Sequence, residues 1–327
     1  MTLRMLPEWA PHERVWIGFP HDRKEWSATA FDAAREQVAA FANGVADQGR
    51  GEQVHLIVND DESTGAAQAL VDRCIDICEI PIGDIWLRDT ASILVGTGVQ
   101  RRARDFGFNG WGGKFLMAGD AQIGERLARS FGFQRDSRDW VLEGGAIDVD
   151  GTGLAVTTRQ CLLNPNRNSG MTSADVEVRL ADDLGIDRVL WLGDGLVGDH
   201  TDGHVDNVAR FVAPGRLLLP APNGSDDPNA AVYADASQRA NEFGVEVVTL
   251  SSPGLVEIDG APAAASYMNF YIGNAVVVVP QYGVAADAGA IDMLERLYPD
   301  RRVIGLMSDA ILTGGGSFHC ASQQVPA

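Results

Sequence analysis

The sequence predicts an α/β fold in one domain spanning 1–327. Three observations carry this. Apolar runs with strand-like patterning alternate with segments of helical period along the whole chain. No composition break or low-complexity linker interrupts the alternation. The strands come in pairs between helices more often than singly, which disfavours a plain doubly wound sheet with one strand per helix.

Taken in order, residues 11–20 read as a strand around Val15-Trp16-Ile17-Gly18-Phe19. Residues 29–48 read as a helix with Phe31, Val38, Phe41 and Val45 near one face, stopped by Gly49. A strand at 53–58, a helix at 63–73 and strands at 75–82 and 91–95 follow. The stretch 101–113 is rich in aromatics and glycine, and is expected to be a structured loop because Phe and Trp would not be left in water. A helix at 120–131 precedes strands at 140–149 and 153–157, joined by an Asp150-Gly151 turn. Thr172-Ser173-Ala174-Asp175 caps a helix running to Leu184. Strands are expected at 188–192, 205–212, 217–219 and 245–250, with a Pro/Gly/Asn/Asp loop at 220–229 and a helix at 230–243. A buried strand pair at 266–272 and 275–279, a helix at 287–297 and a strand at 302–306 complete the reading.

Composition narrows the function. The 327 residues are 45% hydrophobic, so a large core is available. A formal net charge of −19 repels phosphate backbones and argues against nucleic acid or an anionic membrane as partner, while favouring a cationic small substrate. No run of 18 apolar residues signals a transmembrane helix, and the first nine residues lack the apolar core of a signal peptide. Four cysteines in this length do not suggest a disulfide framework, so a cytoplasmic setting is expected. Cys74 and Cys78, at helical spacing without a partner pair, are expected to be core residues.

Chemistry concentrates at four places. Gly314-Gly315-Gly316-Ser317-Phe318-His319-Cys320 delivers one cysteine after three conformationally free glycines; alone, it reads equally as an inert buried thiol. In Asp84-Ile85-Trp86-Leu87-Arg88-Asp89, strand alternation would put Asp84, Trp86 and Arg88 on one face, or Arg88-Asp89 is a surface ion pair. Glu143-Gly144-Gly145 is a carboxylate at a strand end, or a bulge. His204 and Asp206, two apart, would share a strand face; His and Cys are too few nearby for a metal, leaving an acid/base histidine beside an anion. Cysteine with histidine suggests nucleophilic catalysis. Several carboxylates would repel an oxyanion but hold a planar guanidinium well.

With these residues in view, the chain resembles the agmatine deiminase and bacterial-type peptidylarginine deiminase family, within the guanidine-modifying enzymes. The resemblance rests on eight stretches in order. They include Leu6-Pro7-Glu8-Trp9, Trp86-Leu87-Arg88-Asp89, Phe108-Asn109-Gly110-Trp111 and Leu142-Glu143-Gly144-Gly145. Further along come Cys161-Leu162-Leu163-Asn164-Pro165-Asn166-Arg167-Asn168, Thr201-Asp202-Gly203-His204-Val205-Asp206-Asn207, Ser266-Tyr267-Met268-Asn269-Phe270-Tyr271 and the glycine-rich tail. It implies a five-bladed α/β propeller (pentein) of strand-strand-helix-strand units. It also implies hydrolysis of agmatine to N-carbamoylputrescine and ammonia, a step of putrescine biosynthesis, without metal or organic cofactor. Carried over by motif, Cys320 is the nucleophile, and its thiol is expected to be acidified by a flanking cation and dipoles. Asp89 and Asp206 hold the guanidinium, His204 is the acid/base, and Glu143 orients His204 or binds the guanidinium. Trp86 covers the planar group, and His200, Trp111 and Gly316 complete the substrate pocket. A homodimer is frequent in such proteins.

Departures fall at the far end of the substrate. His200 stands where the family has an acid, Met1-Thr2-Leu3 lacks an expected Asp, and Ala91-Ser92 replaces Gly-Pro. The segment 220–266 is short and lacks an Arg, and Ser317 replaces Asn. Arginine, peptidyl arginine or another alkylguanidine is therefore an alternative substrate. An amidinotransferase and a non-catalytic module of the same fold are the further alternatives.

Overall fold

The computed structural model describes residues 3–26 and 29–327; Met1 and Thr2, and with them part of the N-terminal departure noted above, lie outside the described residues. In chain order, β1 (His12–Gly18) leads through the helix Phe31–Ala46 to β2 (Gln53–Val58), then through the helix Asp61–Leu70 to β3 (Asp76–Glu79). The next unit is β4 (Ile93–Val95), β5 (Arg102–Gly107), the helix Ile123–Ser130 and β6 (Gln134–Val141). The third is β7 (Ile147–Val149), β8 (Leu154–Thr158), the helix Ser173–Leu184 and β9 (Arg188–Leu192). The fourth is β10 (Arg210–Ala213), β11 (Arg216–Ala221), the helix Ala230–Phe243 and β12 (Glu246–Ser251), followed by the small hairpin β13 (Glu257–Ile258) and β14 (Ala261–Pro262). The fifth is β15 (Tyr271–Ile272), β16 (Val276–Gln281), the helix Asp287–Leu297 and β17 (Arg302–Met307). A last strand, β18 (Ser322–Pro326), ends the chain.

One pairing rule recurs. In the second to fifth units the first strand runs antiparallel to the second, and the helix returns the chain to a third strand parallel to the second; in the first unit β1, β2 and β3 are all parallel. A parallel neighbour demands such a crossover, which explains the helix after every second strand. The first sheet is completed from the far end of the chain: β18 pairs antiparallel with β1, giving the order β18-β1-β2-β3.

The middle strands explain the runs of β-branched and leucine residues. In β16, Val276 and Val278 enter one apolar cluster while Val277 and Val279 enter another. In β11, Leu218 faces one cluster and Leu217 and Leu219 the next. In β8, Ala155 is set against Leu154 and Val156 in the same way, and in β1 Trp16 is set against Val15 and Ile17. Both faces of these strands are buried, so the pattern is continuous rather than alternating. Each cluster lies between two successive units, and the fifth returns to the first. The five sheets are therefore the blades of a closed α/β propeller.

Several boundaries differ from the sequence reading. The helix at 31–46 ends earlier because Asp47 takes a left-handed conformation. Residues 102–107 form a strand, not a loop, and 134–141 is a strand that the polar sequence hid. The expected strands 140–149 and 205–212 are each broken by a one-turn helix, at Gly144–Ala146 and Val205–Asn207. Cys74 is exposed and Cys78 half-buried, so neither is a core residue. No helix among the described residues is long and apolar enough to cross a membrane.

Candidate active site

Every blade is entered through a short turn just before its first strand, and the candidate residues sit on these turns. Trp86 and Asp89 lie at the one-turn helix Leu87–Thr90 before β4, and Glu143 at the turn before β7. His204 and Asp206 lie at the turn before β10, Asn269 on the turn Tyr267–Asn269 before β15, and Cys320 directly before β18. The ring of turns is tied by backbone: Arg88 N–H donates to the Cys320 carbonyl at 3.0 Å, and Cys320 N–H to Asn269 Oδ1 at 3.2 Å. His204 and Asp206 thus converge from a one-turn helix, not along a strand face.

Cys320 is buried, with Sγ 3.1 Å from Asn269 Nδ2 and 3.4 Å from Asp206 Oδ2. Burial pushes its thiol well above the ordinary range, and the Asp206 and Asp89 carboxylates push further, outweighing the Asn269 hydrogen bond. This corrects the expectation of an acidified thiol: the neighbouring charges are carboxylates.

Asp89 Oδ1 accepts from Gly145 N–H at 3.0 Å and Oδ2 from the Trp111 indole at 2.9 Å. Burial, then the charges of Asp206 and Glu143, raise its carboxyl despite the neighbouring His204. His204 is wholly buried, its Nδ1 3.6 Å from Asp89 Oδ1, and neither ring nitrogen has a hydrogen-bond partner among the described residues. Burial opposes its charge, but Asp89, Cys161 and Glu143 prevail and hold the imidazole well above its usual range. Gly145 marks where these groups meet. A β-carbon there would lie 2.6 Å from His204 Nδ1, 2.8 Å from Asp89 Oδ1 and 3.1 Å from Asp206 Oδ2.

Glu143 is buried and pairs with Arg167 Nε at 2.6 Å, while Arg167 also reaches Asp202 at 2.5 Å and the Thr201 carbonyl at 2.7 Å. Glu143, Cys161 and His204 bring ligand-type atoms within 4.8 Å of one another. The Arg167 cation on Glu143 opposes a dication there, so the trio is better suited to stabilising charge on His204.

Beneath lies a second ionic layer. His319 Nδ1 is 2.7 Å from Asp206 Oδ2 and its Nε2 is 2.7 Å from Glu8 Oε1, so the ring bridges the two carboxylates. Glu8 also pairs with Arg210, and with Arg88 at 3.1 Å. Burial opposes the Glu8 charge, but Arg210, Arg88 and His319 hold its carboxyl well below the usual range. Asp206 is likewise lowered against burial, by His319. Arg88 is therefore a buried partner of Glu8, not half of a surface pair with Asp89.

A cavity of about 140 Å³ opens over Cys320 and Asp89, bounded by Trp86, Trp111 and Gly314. The tail glycines have a specific cause: a β-carbon at Gly316 would lie 2.6 Å from the Trp86 ring, and one at Gly314 3.1 Å from it. Gly316 thus seats Trp86, whereas Gly314 and Gly315 line the cavity. Trp111 is held at φ 51°, a left-handed conformation unusual for a bulky residue. His200 is exposed and lines the cavity, its ring centroid 5.8 Å from that of Phe115. His204, Asp206 and Glu143 lie behind the cavity floor rather than in its lining.

Sequence reasoning gave no separate role to Asn269, Arg167, Cys161, His319 or Glu8. All five stand in stretches that carry the resemblance, and a buried partner for each charge was the signal to follow.

The model of the Porphyromonas-type peptidyl-arginine deiminase family matches residues 4–326. Agmatine deiminase of Pseudomonas aeruginosa (strain UCBPP-PA14) is 35% identical over 99% of this chain and 95% of the relative. That of Pseudomonas putida is also 35% identical, with the same coverage. The structure of agmatine deiminase of Enterococcus faecalis superposes with a TM-score of 0.90 at 29% identity, covering 99% of this chain and 96% of that one. On the match along almost its whole length, the chain belongs to the Porphyromonas-type peptidyl-arginine deiminase family.

Proposed function

We propose that the protein is an agmatine deiminase, hydrolysing agmatine to N-carbamoylputrescine and ammonia through a cysteine-linked intermediate. The observation that carries this reading is the convergence of one thiol, one imidazole and two carboxylates on a single point beside a tryptophan-walled cavity. Its relatives' agmatine deiminase activity supports it.

Asp89 and Asp206 hold the guanidinium nitrogens, and Trp86 covers the planar face. Arrival of this cation reverses the electrostatics that keep Cys320 protonated. The thiol proton leaves towards Asp206, and Sγ bonds to the guanidinium carbon. His204 enters as imidazolium and protonates the departing nitrogen, so ammonia leaves and an amidino-thioether remains. Neutral His204 then takes a proton from water, whose oxygen attacks the same carbon. The C–S bond breaks as the hydroxyl proton passes to the departing Cys320 sulfur, Asp206 gives the proton it took to solvent, and the ureido product leaves with Cys320 again a thiol and His204 an imidazolium. His319 and Arg167 are positioning residues, acting through Asp206 and Glu143.

The test is ammonia and ureido-product release from agmatine, with Cys320→Ala as control and mass spectrometry of the quenched enzyme. Turnover is expected for the wild type only, with an adduct of agmatine less ammonia on Cys320. No turnover of any guanidine by the wild type overturns the reading.

A further inference from the structure

The segment that carries Trp111 is tied to the rest of the site, and Asp202 stands at the junction. Trp111 is flanked by Gly110, Gly112 and Gly113, and all four have positive φ. A bulky residue keeps that conformation only where its surroundings enforce it. Three ties do so: the Trp111 indole donates to Asp89, Asn109 Nδ2 donates to the Asn166 carbonyl at 2.8 Å, and Lys114 Nζ is 2.7 Å from Asp202 Oδ1. The other Asp202 oxygen accepts from Arg167 at 2.5 Å and from Asn166 Nδ2 at 2.9 Å. One oxygen thus faces the Trp111 segment, and the other faces the cation that pairs with Glu143. Asp202 is itself left-handed, at φ 63°. Burial opposes its charge, but Lys114, Asn166 and Arg167 hold its carboxyl down to about 2, so it is ionised wherever the enzyme works. Neither Lys114 nor Asp202 lines the cavity.

We infer that Asp202 is a positioning residue for the reaction: through Lys114 it holds Trp111 against Asp89, and through Arg167 it holds Glu143 behind His204. The inference rests on the deiminase reading. Its two limbs have different consequences. The Lys114 limb sets the tryptophan wall of the cavity, hence substrate binding. The Arg167 limb sets charge, since two cations, Lys114 and Arg167, balance two carboxylates, Asp202 and Glu143. The His204 imidazole is faced by Asp89 at 3.6 Å and by Glu143 and Cys161 within 4.8 Å. Asp206 of its own turn carries the contacts to His319 and Cys320. Against that set, loss of the Asp202 charge leaves one cation unbalanced behind Glu143. The imidazolium that protonates the departing nitrogen is then lost at a lower pH.

The experiment compares wild type, Lys114→Met and Asp202→Asn in kcat, KM and the pH profile of kcat with agmatine. Each rate is referred to the Cys320 thiols that chloroacetamidine titrates, which removes any general loss of folded enzyme. Lys114→Met breaks the outer pair alone, and is expected to raise KM about three- to tenfold without lowering the alkaline limb. Asp202→Asn is expected to raise KM similarly, to lower kcat at least about tenfold, and to move the alkaline limb down by about half a pH unit or more. A merely structural role leaves that limb in place. Hydrogen exchange of residues 109–115 in the substrate-free protein gives a readout independent of turnover, expected to quicken at least about tenfold in both variants. An alkaline limb unmoved in Asp202→Asn, or exchange unchanged in both variants, overturns the assignment. If Asp202→Asn does not fold, Lys114→Met decides, and unchanged KM with unchanged exchange overturns it. Failure of the deiminase reading looks different: wild type turns over no guanidine, and the exchange comparison still decides whether Asp202 holds the Trp111 segment.

Discussion

Gly145→Ala separates the site geometry from the resemblance that first suggested it. No left-handed conformation is required at Gly145, so alanine suits the backbone and the perturbation is one methyl group. That methyl would lie 2.6 Å from His204 Nδ1 and 2.8 Å from Asp89 Oδ1. Ordinary contact begins near 3.4 Å, so the imidazole and carboxylate must retreat by roughly 0.6–0.8 Å, the imidazole from a wholly buried position. Overpacking of this kind costs about 1–3 kcal/mol, which lowers Tm by a few degrees. Misplacement of the acid/base and the guanidinium anchor by nearly 1 Å costs on the order of 10²-fold in rate. The assay is steady-state ammonia release from agmatine, with a thermal melt of the same preparation. The expected result is a kcat about 10²-fold below wild type in a protein that still melts cooperatively. Gly65→Ala is the control, because a β-carbon there meets nothing within 4 Å. A Gly145→Ala enzyme with kcat within about threefold of wild type would show that His204, Asp89 and Asp206 do not meet at the reacting carbon.

Two further outcomes follow from the electrostatics. Because burial and the Asp206 and Asp89 carboxylates hold the Cys320 thiol above its ordinary range, alkylation by neutral iodoacetamide is expected to be slow at pH 7 and to climb above pH 9. Cationic chloroacetamidine should label Cys320 at pH 7 at least about tenfold faster once each rate is divided by that with glutathione; equal normalised rates would remove substrate-assisted ionisation. Arg167→Gln leaves the Glu143 carboxylate buried without its cation, so urea unfolding is expected to show a loss of about 3–5 kcal/mol; a loss under about 1 kcal/mol contradicts the pairing.

The local elements were legible where local physics decides them. Thr172 and Asp175 form the reciprocal cap read from the sequence, and the helices Ala230–Phe243 and Asp287–Leu297 have the expected bounds. The candidate set Cys320, His204, Asp89 and Asp206 was legible because each stands beside glycine or at a turn, and because the motifs occur in order. The last strand was not. Ser322-Gln323-Gln324-Val325 is polar, and it is a strand only because β1 offers it a partner more than 300 residues away in sequence. The mixed-polarity 134–141 segment depends in the same way on β5.

By itself, the sequence determined the alternation of strands and helices, the pairing of strands, and the residues able to handle a guanidinium, since these follow from periodicity and side-chain chemistry. Only the tertiary structure decided the sign of the Cys320 shift, the burial of Arg88 against Glu8, and the meeting of Lys114 and Arg167 on Asp202. Those are properties of distance and dielectric. A thiol is acidified by cations and suppressed by carboxylates according to what stands within a few ångströms, and ring closure by β18 brings residues 8, 89, 206 and 320 to that range.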